Sequence, residues 1–171
     1  MLVGHLPAGY LAATAALDRL EASGQLPTNS ASGAGPRRSL LAVALAASVA
    51  PDLDVLAFYA QGGAVHHHAY PTHWPLAWAG AGALGLAVAA VRRSRLVALA
   101  VLFAVGAALL HLALDSVAGA VRWGAPFSDR ATTLVEVPAR RGHWVASMVL
   151  HWTFAAELAL AAAAVWWRRC T

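Results

Sequence analysis

The sequence predicts an all-α fold: a polytopic transmembrane helix bundle of four to five spans, forming one membrane-embedded domain over residues 1–171. Three observations carry that expectation. Of the 171 residues, 60% are hydrophobic and only 12% are charged, whereas a soluble domain carries roughly a quarter charged residues. Long apolar runs occupy about 39–59, 75–91, 96–115 and 144–167. The basic residues, all of them Arg, stand in small groups between those runs. A pI of about 10.2 raises nucleic acid as a partner. The arginines form no continuous basic stripe, so no nucleic-acid partner is expected. Cys170 is the single cysteine and has no partner for an internal disulfide.

The first segment, about 2–20, is shorter than the others. No Arg or Lys precedes Arg19, and a signal peptide needs a positive start, so a retained helix is expected. Pro27 to Pro36 has the polar, Gly- and Pro-containing composition of a linker. Each long run can cross a hydrocarbon core about 30 Å thick at about 1.5 Å per residue. Abundant Ala and Gly suit close helix packing in lipid. Alternating spans place Arg19, Arg37, Arg38, Arg92, Arg93, Arg95, Arg168 and Arg169 on one side. Arg122, Arg130, Arg140 and Arg141 fall on the other. The side richer in Arg is expected to be cytoplasmic. Trp74, Trp78 and Trp144 then fit an outer interfacial belt, and Trp166 and Trp167 an inner one.

That topology, drawn from arginines and apolar lengths, gathers the ionisable side chains at the outer face. His111 and Asp115 are spaced i,i+4 and share one helix face. They can bind one metal ion, and a buried His–Asp hydrogen bond would use the same spacing. Asp52 and Asp54 flank Leu53 directly after Pro51. Proline breaks the helix there, so both carboxylates are expected to point to a common centre. Two acids so close repel unless a proton or cation intervenes. His68 and His73 are separated by Pro71, and Pro75 follows. They are expected on a turn over the helix ends, with Thr72 capping the next run. His66, His143 and His151 are the more peripheral histidines. Glu157 is expected on the far side of the bilayer from the cluster, as an internal polar contact.

In order along the chain stand His5-Leu6-Pro7-Ala8-Gly9, Pro51-Asp52-Leu53-Asp54, His68-Ala69-Tyr70-Pro71-Thr72-His73 and His111-Leu112-Ala113-Leu114-Asp115. That series resembles the YdjM-like family of membrane-bound metal-dependent hydrolases. The family shows an early His before a small residue, then P-D-x-D, H-R-x-x-T-H-S and H-x-x-x-D. The stretch Arg122 to Ser128 is also similar to a family segment. Two positions depart: Ala69 stands where the family has Arg, and Trp74 where it has Ser.

The resemblance implies a hydrolase, and a His and carboxylate set without Cys suits a divalent metal such as Zn or Mn. The expected ligands are His5, Asp52, Asp54, His68, His73, His111 and Asp115. They are enough for one or two ions, with Asp52 or Asp54 bridging. His67 or His151 is expected to protonate the leaving group. A site at the membrane boundary of a bacterial inner-membrane protein, on the extracytoplasmic side, points to membrane lipids as surroundings. It also points to a phosphoester of a lipid or lipid-linked molecule as substrate. The alternatives are a metal-ion or proton-coupled transporter and a non-catalytic protein held together by its metal.

Overall fold

The structure is a computed structural model and describes residues 3–26, 35–62, 67–138 and 144–170. Most of the predicted linker, His66, His143, Arg140 and Arg141 lie outside the described residues. The architecture is all-α. The described residues hold seven α-helices and three short 3-10 turns, and their only β-type pairing is an isolated bridge between Val121 and Thr132.

Helix α1 (His5–Ala22), α2 (Pro36–Ala47) and α5 (Arg95–Ala118) pack together at the centre. Their inward stripes recur at helical spacing. Ala8, Gly9, Ala13 and Leu17 line α1; Leu40, Ala44 and Ala47 line α2; Ala107, Ala108, His111, Leu112 and Asp115 line α5. Ala13, Ala44, Ala47 and Ala107 form the innermost cluster, flanked by Leu41 and Phe103. Small side chains let the backbones approach where lipid offers little hydrophobic driving force. Helix α4 (Pro75–Val91) lies against α5, and α7 (Trp152–Cys170) lies against α1.

Two expected spans are broken. The run 39–59 divides into α2, a 3-10 turn at Pro51–Leu53 and α3 (Asp54–Ala60), with a bend of 47° between the halves. Pro51 has no N–H to continue the ladder, and Asp52 N–H donates to Val49 O instead. The run 144–167 divides into α6 (Trp144–Val149) and α7. Leu150 and His151 occupy the break, so His151 lies between two helices.

Among the described helices, α5 is long and apolar enough to cross a membrane by itself. Its 24 residues give about 36 Å of rise. The bent α2–α3 pair passes the same test when taken together. Helix α4 is apolar, but its 17 residues give only about 25 Å. Ser94 caps α5 by accepting the Val97 N–H at 3.3 Å. Beyond Gly119 the chain folds back over the end of α5, where Leu134 N–H reaches Ser116 O and Val135 N–H reaches Val117 O, both at 2.8 Å.

Candidate metal centre

The helix break creates the first half of the site. With Asp52 N–H turned to Val49 O, the Ser48 carbonyl has no helical donor. It accepts a hydrogen bond from His111 Nδ1 at 2.8 Å. One turn further along α5, Asp115 Oδ2 lies 3.0 Å from His111 Nε2. The opposite side of the site comes from the turn before α4. Trp74 Nε1 donates to Ala69 O at 3.1 Å and Trp78 Nε1 donates to Thr72 O at 2.8 Å, pinning that turn. His73 is thereby held fully buried, with Nδ1 2.6 Å from Asp54 Oδ2. Thr72 donates to the same oxygen at 2.7 Å.

His68 and His5 complete the cluster. His68 places Nδ1 3.2 Å from Ala120 O and Nε2 3.7 Å from Asp115 Oδ2. Its ring lies 4.5 Å from that of His73. His5 stacks on His111 with ring centroids 3.7 Å apart, and its Nε2 lies 3.1 Å from Asp115 Oδ1. Asp115 therefore faces four imidazoles, one through Oδ1 and three through Oδ2.

The hydrogen-bond partners decide where the imidazole protons sit. A carbonyl and a carboxylate only accept, so His111 and His73 carry their hydrogen on Nδ1. In the neutral rings both Nε2 lone pairs then face inward. His111 Nε2 is 3.5 Å from Asp52 Oδ1, and His73 Nε2 is 3.9 Å from it and 3.4 Å from Asp115 Oδ2. One donor atom from each of Asp52, His73, His111 and Asp115 lies within 4.8 Å of all the others. Four acceptors aimed at each other repel unless protons or a cation sit among them. Ligand atoms at zinc bond lengths stand about 3.3 Å apart in a tetrahedron, and these spacings bracket that value. Nδ1 of each ligand histidine held by a protein acceptor is also the usual outer arrangement of a metal site.

Access is one-sided. The His73, His111 and Asp115 side chains are buried, whereas the Asp52 side chain is 38% exposed. In the turn before α4, burial by itself would depress the His73 pKa. Its hydrogen bonds to Asp115 and Asp54 outweigh burial and raise it.

Of the residues expected to bind metal, His5, Asp52, His68, His73, His111 and Asp115 come together. Asp54 does not join the four converging atoms; it stands behind His73 and orients it. The expectation that Asp52 and Asp54 share a centre fails because a 3-10 turn rotates about 120° per residue. The Thr72 hydroxyl serves Asp54 rather than capping α4. His67 falls in the 3-10 turn His67–Ala69, and its side chain lies outside what is described. His151 pairs with Thr153, Nδ1 to Oγ1 at 3.0 Å. Glu157 is not remote from the cluster: it reaches the residues just before His5.

Backbone and packing contributors escaped the sequence reading. The Ser48 and Ala120 carbonyls carry no side-chain signal. Trp74 and Trp78, expected as interfacial belt residues, brace the histidine turn. A Cβ on Gly119 would lie 2.7 Å from His68 Cε1, and one on Gly9 would lie 2.6 Å from Ser48 Cβ.

No curated protein and no solved structure matches the chain. A family model described as YdjM inner membrane protein matches residues 1–170. With the match spanning nearly the whole sequence and the family's ordered His and Asp motifs folded into one cluster, the chain belongs to the YdjM inner membrane protein family.

Proposed function

We propose that the protein is a metal-dependent hydrolase of the inner membrane that cleaves a phosphoester of a lipid or lipid-linked substrate. The observation that carries this reading is the convergence of Asp52, His73, His111 and Asp115, with Asp52 on the exposed side. Catalytic zinc sites hold three protein ligands and keep one position open; here His73, His111 and Asp115 are buried and would be those three, with the exposed Asp52 beside the open position. A nitrogen and oxygen donor set without thiolate suits Zn or Mn. The two oxygens of Asp115 face different histidines, so His5 and Asp115 are the residues that would hold a second ion.

A divalent ion in this site would lower the pKa of a coordinated water and polarise the scissile bond. The chain's own residues supply the rest. Ser48 O and Asp54 fix His111 and His73 in the Nε2-available tautomer. Asp52, on the open side, takes the proton released by the attacking water. His68, with Nε2 3.7 Å from Asp115 Oδ2, returns a proton to the leaving oxygen, the role expected from sequence for His67 or His151.

The family description supports an inner-membrane location. Helix α5 and the α2–α3 pair are long and apolar enough for two spans, and α1, α4 and α7 would bring the bundle to five. The arginine distribution puts the cluster on the extracytoplasmic side, at the level where phospholipid headgroups lie. Phospholipids and lipid phosphates, presented in mixed micelles with Zn or Mn, test this directly. Metal-dependent release of phosphate or headgroup by the wild type, absent in His111→Ala, is the expected result. A metal-loaded wild type that turns over no phosphoester would overturn the hydrolase assignment.

A further inference from the structure

We infer that Glu157 of α7 is a positioning residue for the metal centre, acting on His5 through the two residues that lead into α1. The inference rests on the metal-centre reading above. Helix α1 begins at His5, and its cap residue Gly4 offers no side-chain acceptor to anchor the chain as it enters the helix. Glu157 supplies the acceptor from another helix: its Oε2 takes the Val3 N–H at 2.6 Å and the Gly4 N–H at 3.0 Å. Glu157 is completely buried. A carboxyl group inside a membrane bundle is expensive and marks a specific task.

The four clustered imidazoles differ in how they are held. His111, His73 and His68 each have Nδ1 on a protein acceptor: Ser48 O, Asp54 and Ala120 O respectively. Among the described residues, none bonds His5 Nδ1. Its ring is placed by its backbone, by the stack on His111 and by the 3.1 Å approach to Asp115 Oδ1. The backbone immediately before it is the segment that Glu157 clamps. Glu157 thus does for His5, through the main chain, what Asp54 does for His73 directly.

The test is metal titration of the purified full chain in detergent, stripped of metal and then titrated with Co²⁺. The visible spectrum reports the geometry around the ion. Glu157→Leu keeps bulk and removes the acceptor; Glu157→Gln keeps an acceptor oxygen. Loss of an outer partner typically weakens metal affinity by about 10–100-fold. That loss and an altered Co²⁺ spectrum are expected for Glu157→Leu, with Glu157→Gln close to wild type. In a His5→Ala background, Glu157→Leu should add little, because coupled residues are non-additive. Wild-type affinity in Glu157→Leu overturns the inference, as does an undiminished effect in the His5→Ala background. If Glu157→Leu fails to fold, Glu157→Gln decides: a loss as large as His5→Ala overturns the inference, and retained affinity supports it. A wild-type chain that takes up no Co²⁺ overturns the metal centre itself and the role of Glu157 with it.

Discussion

Asp54→Asn separates an orienting carboxylate from a metal ligand. Asp54 Oδ2 accepts from His73 Nδ1 at 2.6 Å and from Thr72 at 2.7 Å, and both Asp54 and His73 are buried. Asparagine has nearly the same shape and keeps one acceptor oxygen, but the charge is lost. Hydrogen bonds to an ionised acceptor are roughly twice as strong as neutral ones. The His73 ring should therefore become a poorer donor to metal and less firmly held. Outer partners of ligand histidines are worth about 10–100-fold in metal affinity, which is about 1.4–2.7 kcal/mol. A competition titration of metal-free protein against a chelating dye measures this directly. The Asp54→Asn protein should still bind metal, with affinity lowered within that range, while His111→Ala loses tight binding altogether. Unchanged affinity in Asp54→Asn would refute the orienting role. Loss as complete as that in His111→Ala would show that Asp54 touches the ion.

Other perturbations address the backbone around the cluster. Gly119→Ala places a Cβ 2.7 Å from His68 Cε1; the ring must shift from its present position, and proton delivery to the leaving group should fall well before metal content does. Equal losses of both would contradict the separate role given to His68. Gly9→Ala forces a Cβ to 2.6 Å from Ser48 Cβ, so the carbonyl that holds His111 must move. A melting temperature lowered by several degrees and weaker metal binding are expected together; a loss of stability with wild-type affinity would disconnect Ser48 from the site. The fourth prediction concerns pH. The folded pKa of His73 lies above its ordinary value of 6.5 because its hydrogen bonds to Asp115 and Asp54 outweigh burial. In metal-free protein the resulting stabilisation is complete below about pH 6.5 and fades as pH rises through the raised value. Metal must displace that proton, so metal affinity rises over the same interval. Thermal melts of metal-free and metal-loaded protein should diverge with increasing pH, and parallel curves would contradict the assignment.

The convergence of the site was legible in the sequence because it depends on which helix ends share a face, and alternating apolar runs determine that. His111 and Asp115 were the clearest, since i,i+4 spacing on a helix admits one geometry. Asp52 and Asp54 were not separable, because their division of labour follows from the 3-10 turn at Pro51–Leu53, where two residues of spacing carry them to different sides. Proline predicted the break but not its consequence, the freed Ser48 carbonyl that receives His111. Trp74 and Trp78 looked interfacial because their composition fits that zone equally well; only their indole hydrogen bonds to Ala69 and Thr72 reveal the bracing role. A single straight span over 144–167 would carry Glu157 to the far side of the bilayer from the cluster. The break at Leu150 and His151 starts α7 later, and Glu157 then lies in its second turn beside the start of α1.

Metal content of the purified protein tests the central claim most directly. Elemental analysis of the wild type beside His111→Ala and Asp115→Asn, each checked for retained helicity, should find about one to two equivalents of Zn or Mn in the wild type. Both variants should contain little. A folded wild type that neither carries nor takes up divalent metal, or variants that retain the wild-type content, would contradict the account.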